Sequence, residues 1–357
     1  MILLLSLMIT TILLSSLIAT RSIVLPLDKE LSETVFISIR RFYNVNATIC
    51  NANWPVTIVH TPYGGFANSF QALRGLIALA LMINASVTSK YNSHISFVAT
   101  WKPFCSLLDE SLSCICRSSA IMGSNEIPKN NASFSTNTIK FYNDAFERKV
   151  AKGIYYFKNH YSGHHHFMSE RGLKALKESG LINDGETWSH ARNRLTRWLI
   201  RPNKRIMNLV SPYRKKPGTI QLGVQIRTGG KLANTLEGAV FLNDSSMPFI
   251  ISTINSQLIN RPSITELYIS SDSTIMIERI VKEYRKWNVH YMNCTIRGHI
   301  TWTPGSMECA LMDMILISES DYLIYTGGST FGFLISNLMG FITAPIIPSY
   351  WAWNLGI

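Results

Sequence analysis

The chain has 357 residues, 46% hydrophobic and 16% charged, and its 34 lysines and arginines against 22 aspartates and glutamates give a net charge of +12. That length supports two domains with cores of their own, and that apolar content excludes a disordered chain. The positive balance favours anionic partners, but the basic residues are scattered except for Lys204-Arg205 and Arg214-Lys215-Lys216, which read as a solvated face or linker and not as a nucleic-acid stripe.

The first predicted element is a leader over 1–20. It carries no charge and is dominated by Leu and Ile. It is long for the apolar region of a signal peptide, lacks a basic start, and approaches the length that spans a bilayer, so a cleaved signal and an uncleaved anchor both fit. Either sends the remainder into the secretory lumen, with 21–54 as a stem or linker. Sequons at Asn46, Asn84, Asn131, Asn243 and Asn293 agree with that compartment. So does the even number of cysteines, six, which is compatible with disulfides in any of fifteen connectivities. Cys114 and Cys116 are too close in extended chain to bond each other. They also lack the spacing of a zinc site.

The segment Pro55–His60 then reads as a strand, Thr61–Asn68 as a glycine-containing loop, and Ser69–Ile83 as an apolar helix. Ile95–Thr100 predicts a strand, Ser113–Thr138 an exposed excursion, and 140–158 and Glu186–Leu199 helices, with His164-His165-His166 in a polar loop between them. The basic, proline-marked stretch Pro202–Pro217 divides the chain into 55–210 and 211–357. The second part alternates: strands over Ile220–Arg227, Glu266–Ser270, Val289–Met292, Asp321–Tyr325 and Ala344–Ile347, and helices over Ser273–Trp287, Met307–Ile317 and Thr330–Met339. This βα series predicts an α/β fold of two Rossmann-like units with a cleft between them.

The candidate chemistry sits at strand ends. Arg227 closes an apolar strand, and Gly327-Gly328-Ser329-Thr330-Phe331-Gly332 joins a strand to a helix, where free N–H groups and the positive end of the helix dipole suit a phosphate. Ligands of open α/β sheets collect outside the carboxyl ends of the strands, so Arg227 and the Ser329-Thr330 turn are expected to converge on one diphosphate. Ser329 equally suits a helix N-cap. Asp272, after the strand Glu266–Ser270, suits either hydrogen bonds to a nucleoside or the N-cap of the helix that follows. Glu308, His299 and Asp244 are candidate general bases by position alone. Trp351 and Trp353 suit sugar stacking or a core.

These residues resemble a known family. Ala310–Thr326 followed by Gly327–Gly332 looks like the plant xyloglucan-type fucosyltransferases. Gly223-Val224-Gln225-Ile226-Arg227 is similar to the G-I-Q-I-R strand of that family. Arg197–Asn203 is similar to its R-Y-L-F-H-P-x-N stretch, with Arg201 where the family has histidine, and no function is carried over to it. Gly64-Gly65-Phe66-Ala67-Asn68 looks like the Gly-x-Phe-Gly-Asn loop of fucosyltransferases that use GDP-fucose, with Ala67 in place of glycine. The resemblance implies a GT-B fold and an inverting, metal-independent transfer of fucose from GDP-fucose to a glycan acceptor, without a cofactor. Arg227 would be catalytic, and Arg227, Asp272, Ser329, Thr330, Phe331, Gly332, Gly65 and Asn68 would hold the donor. It also implies a Golgi membrane protein with a lumenal catalytic part, or a secreted one; an inactive lumenal glycan-binding or scaffold protein of the same fold is the alternative.

Overall fold

The computed structural model describes residues 50, 53–61, 66–89, 136–158, 164–229, 240–294, 304–341 and 344–347. The leader, the strand expected at Ile95–Thr100, most of the excursion, His299, Trp351 and Trp353 lie outside them. The described residues all fall within one compact unit, Val45–Ile357. None of their helices is long and apolar enough to cross a membrane.

Two parallel sheets organise the chain. The first has the order β2-β1-β3, built from β1 (Val56–Thr61), β2 (Ser86–Ser89) and β3 (Gly153–Lys158). Between β1 and β2 runs α1 (Phe66–Ile83), whose faces are both apolar because it is covered on all sides, from Leu73 through Leu79 and Ala80. The helix expected over 140–158 is instead α2 (Thr136–Phe146) followed by β3. Arg148, at φ 56°, turns the chain out of the helix, and the β-forming run Ile154-Tyr155-Tyr156-Phe157 pairs along β1. The histidine triplet forms the short helix α3 (His164–Met168) and not a loop, with the His166 ring stacked on Tyr142 at 4.5 Å. Next come α4 (Glu170–Glu178) and α5 (Trp188–Leu199); Thr187 and His190 form a capping box that starts α5.

After α6 (Lys204–Val210), the second sheet has the order β6-β5-β4-β7-β8. Its strands are β4 (Gln221–Ile226), β5 (Glu266–Ser271), β6 (Asn288–His290), β7 (Tyr322–Thr326) and β8 (Ile346–Ile347), all parallel. The helices between them are α7 (Met247–Asn260), α8 (Thr274–Glu283), α9 (Pro304–Ser318) and α10 (Thr330–Met339). Every residue of β4 and β5 is buried, as expected of central parallel strands covered on both faces. The core beneath them joins Leu222, Val224 and Ile226 to Leu267, Ile269, Ile250 and Ile277. A disulfide between Cys294 and Cys309 ties the segment after β6 to α9. In this strand order the direction of winding reverses between β4 and β7, and the crevice at the carboxyl ends of those two strands is where such sheets bind ligands.

Candidate functional site

The carboxyl end of β4 is fixed to that of β7 by one side chain. Thr326, fully buried, accepts the Arg227 N–H at 2.9 Å through Oγ1 and donates its hydroxyl to the Gln225 carbonyl at 3.2 Å. Arg227 therefore leaves the sheet at the switch point, and its guanidinium turns towards β5. There Nη1 lies 3.4 Å from Asp272 Oδ2, the two side chains being 13% and 7% exposed. The Phe241 ring stands 5.9 Å from the guanidinium carbon.

Asp272 also holds the turn that follows β4. Its Oδ1 accepts from the Thr228 N–H at 2.8 Å and from the Thr228 hydroxyl at 2.9 Å, and Oδ2 accepts from the Gly229 N–H at 3.2 Å. Gly229 takes φ 66°, a conformation that costs glycine nothing. The N-cap of α8 is Ser273, whose hydroxyl accepts the Met276 N–H at 3.4 Å. Of the two roles weighed for Asp272, the cap thus belongs to its neighbour, and the carboxylate instead positions Arg227 and the Thr228-Gly229 turn.

The glycine loop follows β7, the strand beside β4. Gly328 takes φ 75°, and Ser329 caps α10 by accepting the Gly332 N–H at 3.2 Å. The N–H groups of Thr330 and Phe331 then have no acceptor within the helix and sit at the positive end of its dipole. Gly332 serves packing: a Cβ there would stand 2.6 Å from Gln225 Oε1 and 2.6 Å from Tyr325 Cδ2, so only glycine lets α10 lie this close to β4 and β7. Ser329 and Gly332 thus build the helix start, and Thr330 and Phe331 present the donors.

A cavity of about 500 Å³ adjoins this point, lined by Thr228, Leu242, Asn243, Asp244, Ser273 and Met276. It lies outside the carboxyl ends of β4 and β5, beside the turn held by Asp272. A larger groove of about 730 Å³ along α7, between Met247 and Asn260, carries no charged side chain in its wall and is remote from Arg227. Thr228 and Thr326 are not singled out by the sequence, and Asn243 is marked there only as a sequon; the Thr228-Gly229-Gly230 turn after an apolar strand is the signal that marks the first of them.

The other expected residues are placed as follows. Asn68 lies in the first turn of α1, half-buried, and Gly65 lies outside the described residues. On the same helix, the Gln71 amide donates to the Thr330 carbonyl at 3.4 Å, so α1 reaches the start of α10. Glu308 is paired with Arg205 at 2.5 Å and Asp244 with Arg279 at 3.0 Å. Arg197, in the stretch given no function above, donates to the Leu338 and Met339 carbonyls at 2.8 and 2.7 Å and so closes the carboxyl end of α10. Among the described residues no group of three or more histidine, cysteine or acidic side chains is arranged to hold a metal.

No protein-family model matches the chain, and no curated protein matches it in sequence. Its structural neighbours are fucosyltransferases. An Arabidopsis thaliana FUT1 variant in complex with GDP is similar with a TM-score of 0.53 and 13% identity, over 83% of this chain and 72% of that one. The NodZ alpha-1,6-fucosyltransferase co-crystallised with GDP follows at 0.49 and 12%, over 78% and 91% of the two chains. POFUT1 in complex with GDP stands at 0.42 and 13%, over 82% and 97%. The chain shares the α/β fold, with parallel sheets, of the first of these structures.

Proposed function

We propose, from a fold shared with a GDP-bound plant FUT1, that this chain is an inverting, metal-independent fucosyltransferase that moves fucose from GDP-fucose to a glycan acceptor. The observation that supports the reading is that Arg227, with the turn held by Asp272, and the start of α10 follow neighbouring strands, β4 and β7, at the switch point of the second sheet. Departure of GDP builds negative charge on the β-phosphate. A guanidinium fork fixed by a carboxylate, together with two N–H groups at a helix start, stabilises that charge without reorganising as it forms. In this reading Arg227 is catalytic and, with Thr330 and Phe331, binds the diphosphate. Ser329, Gly332 and Asp272 shape the binding surface, the cavity beside Thr228 takes the nucleoside, and Gly65 and Asn68 belong to the same donor-binding set. The residues 55–210 and 211–357 form the acceptor-side and donor-side domains of a GT-B enzyme; 1–20 is the leader and 21–54 the stem of a protein facing the Golgi lumen.

The test is thermal unfolding of the purified chain with GDP, with and without chelator, followed by transfer from labelled GDP-fucose to a glycan array. GDP at about a hundred times its Kd should stabilise the fold by roughly 2.7 kcal/mol whether or not chelator is present. A response lost in chelator would require a metal site, and an intact GDP response with neither transfer nor donor hydrolysis would turn the reading to a glycan-binding scaffold.

A further inference from the structure

Helix α5 carries three arginines, and two have clear partners. Arg194 is bound to Glu186 and to the Leu181 carbonyl, and Arg197 caps α10. Arg192 is different. It is 3% exposed, its Nε is buried without a hydrogen-bond partner, and its guanidinium lies 4.4 Å over the Phe333 ring in the first turns of α10. Arg74, from α1, is 1% exposed; Nη1 donates to the Thr196 hydroxyl at 2.7 Å, and its Nε is also buried without a partner. Thr196 is no counter-ion, and its own hydroxyl is donated to the Arg192 carbonyl.

Neither arginine forms an ion pair among the described residues, and the two guanidiniums are close enough to repel. Burial first, and then the Arg192 charge, draw Arg74 well below its ordinary pKa; burial draws Arg192 down to about 10, which still leaves it a cation at neutral pH. A guanidinium shut away from water is normally paired, and two together without a carboxylate are the arrangement that receives a doubly charged oxyanion. The aromatic face of Phe333 compensates only part of one charge. A single carboxylate would leave the other charge unpaired, whereas a phosphate matches both forks. The location agrees: Gln71, one turn before Arg74 on the same face of α1, touches the carbonyl of Thr330 at the start of α10.

We propose that Arg74 and Arg192 form a second oxyanion site, between α1, α5 and α10, that binds a phosphate group entering between the two sheets. The site stands without the donor reading, but one source of its ligand, the diphosphate of a sugar nucleotide, rests on that reading; the other source is a separate phosphate.

The experiment is thermal unfolding of the full chain in inorganic phosphate against chloride at matched ionic strength. The wild-type midpoint should rise saturably with phosphate. Arg192→Leu and Arg74→Leu should abolish the response while Arg227→Lys keeps it. A wild-type midpoint indifferent to phosphate, or a response that survives Arg192→Leu and is lost in Arg227→Lys, overturns the site. If the leucine variants do not fold, Arg192→Lys keeps the charge without the fork, and its phosphate affinity should fall several-fold; unchanged affinity overturns the site as well. With the site established in this way, GDP added to phosphate separates the sources: non-additive shifts assign the diphosphate of the donor, and additive shifts a separate phosphate. Loss of the GDP response alone, with the phosphate response intact, would sink the donor reading and leave this site standing.

Discussion

Asp272→Ala removes one carboxylate and deprives four donors at once. The Thr228 N–H and hydroxyl, at 2.8 and 2.9 Å, the Gly229 N–H at 3.2 Å and the Arg227 guanidinium at 3.4 Å all converge on its two oxygens. With the two charged side chains 13% and 7% exposed, water replaces the carboxylate poorly, and breaking a buried pair of this kind costs about 3–5 kcal/mol. The Thr228 hydroxyl is free to rotate towards solvent, so the lower end of that range is expected. In urea, with a slope of about 2–3 kcal/mol per M, the midpoint should fall by about 1 M at unchanged slope. The function should fail with the fold still present: Arg227 and the turn lose their support, so the rise in melting temperature caused by GDP should shrink well below that of wild type. An Asp272→Ala protein with an unaltered urea midpoint and the full GDP response would refute the positioning role and the site built around it.

Three further outcomes follow from other parts of the molecule. Arg227→Lys keeps the charge and loses the fork, so transfer from GDP-fucose should drop by about 10²-fold or more with circular dichroism unchanged; a near wild-type rate would remove Arg227 from the diphosphate. Gly332→Ala should destabilise by about 1–3 kcal/mol, because its methyl has nowhere to go between Gln225 and Tyr325; Gly305→Ala, whose added carbon meets nothing within 4 Å, is the control, and equal calorimetric midpoints for the two would defeat the packing argument. His60, fully buried in β1, has its pKa pushed down to about 3 by burial, against 6.5 when unfolded. The stability from keeping it neutral is complete above pH 6.5 and is lost as pH falls towards 3, at no more than about 1.4 kcal/mol per pH unit. Urea midpoints of wild type and His60→Gln at pH 7 and pH 5 should show the shallower dependence in the variant, and identical slopes would exclude His60 as the cause.

The second sheet was legible because central parallel strands must be apolar on both faces. Ile220–Arg227 and Glu266–Ser270 read as strands, within a residue of β4 and β5 at each end, and Thr330–Met339 was found to the residue because Ser329 and Gly340 punctuate its ends. The first part was harder. The strand Gly153–Lys158 was absorbed into a helix because the turn before it is made at Arg148, a residue that does not announce a positive φ as glycine would. The strand Ser86–Ser89 is too short and too polar for a period to show, and Met247–Asn260 begins with a run, Phe249-Ile250-Ile251, that a strand would also show. In the candidate site, the sequence marks Arg227 and the glycine loop as strand-end residues, and they do follow β4 and β7. The division of labour between Asp272 and Ser273 was not legible, since adjacent Asp and Ser are equally good caps and only the tertiary demand of the Thr228-Gly229 turn separates them.

Arg197 gives α10 a mechanical character. The helix spans ten residues, about 15 Å at 1.5 Å per residue, with its start next to β7 of the second sheet and its far end, at Gly340, gripped by an arginine from α5. It is in effect a strut with both ends loaded. A tilt of α5 would carry the tail of the strut with it and so reorient the Thr330 and Phe331 N–H groups at its head. Arg197 places a cation at the negative tail and so offsets that end of the helix dipole, while Ser329 takes up one N–H at the head.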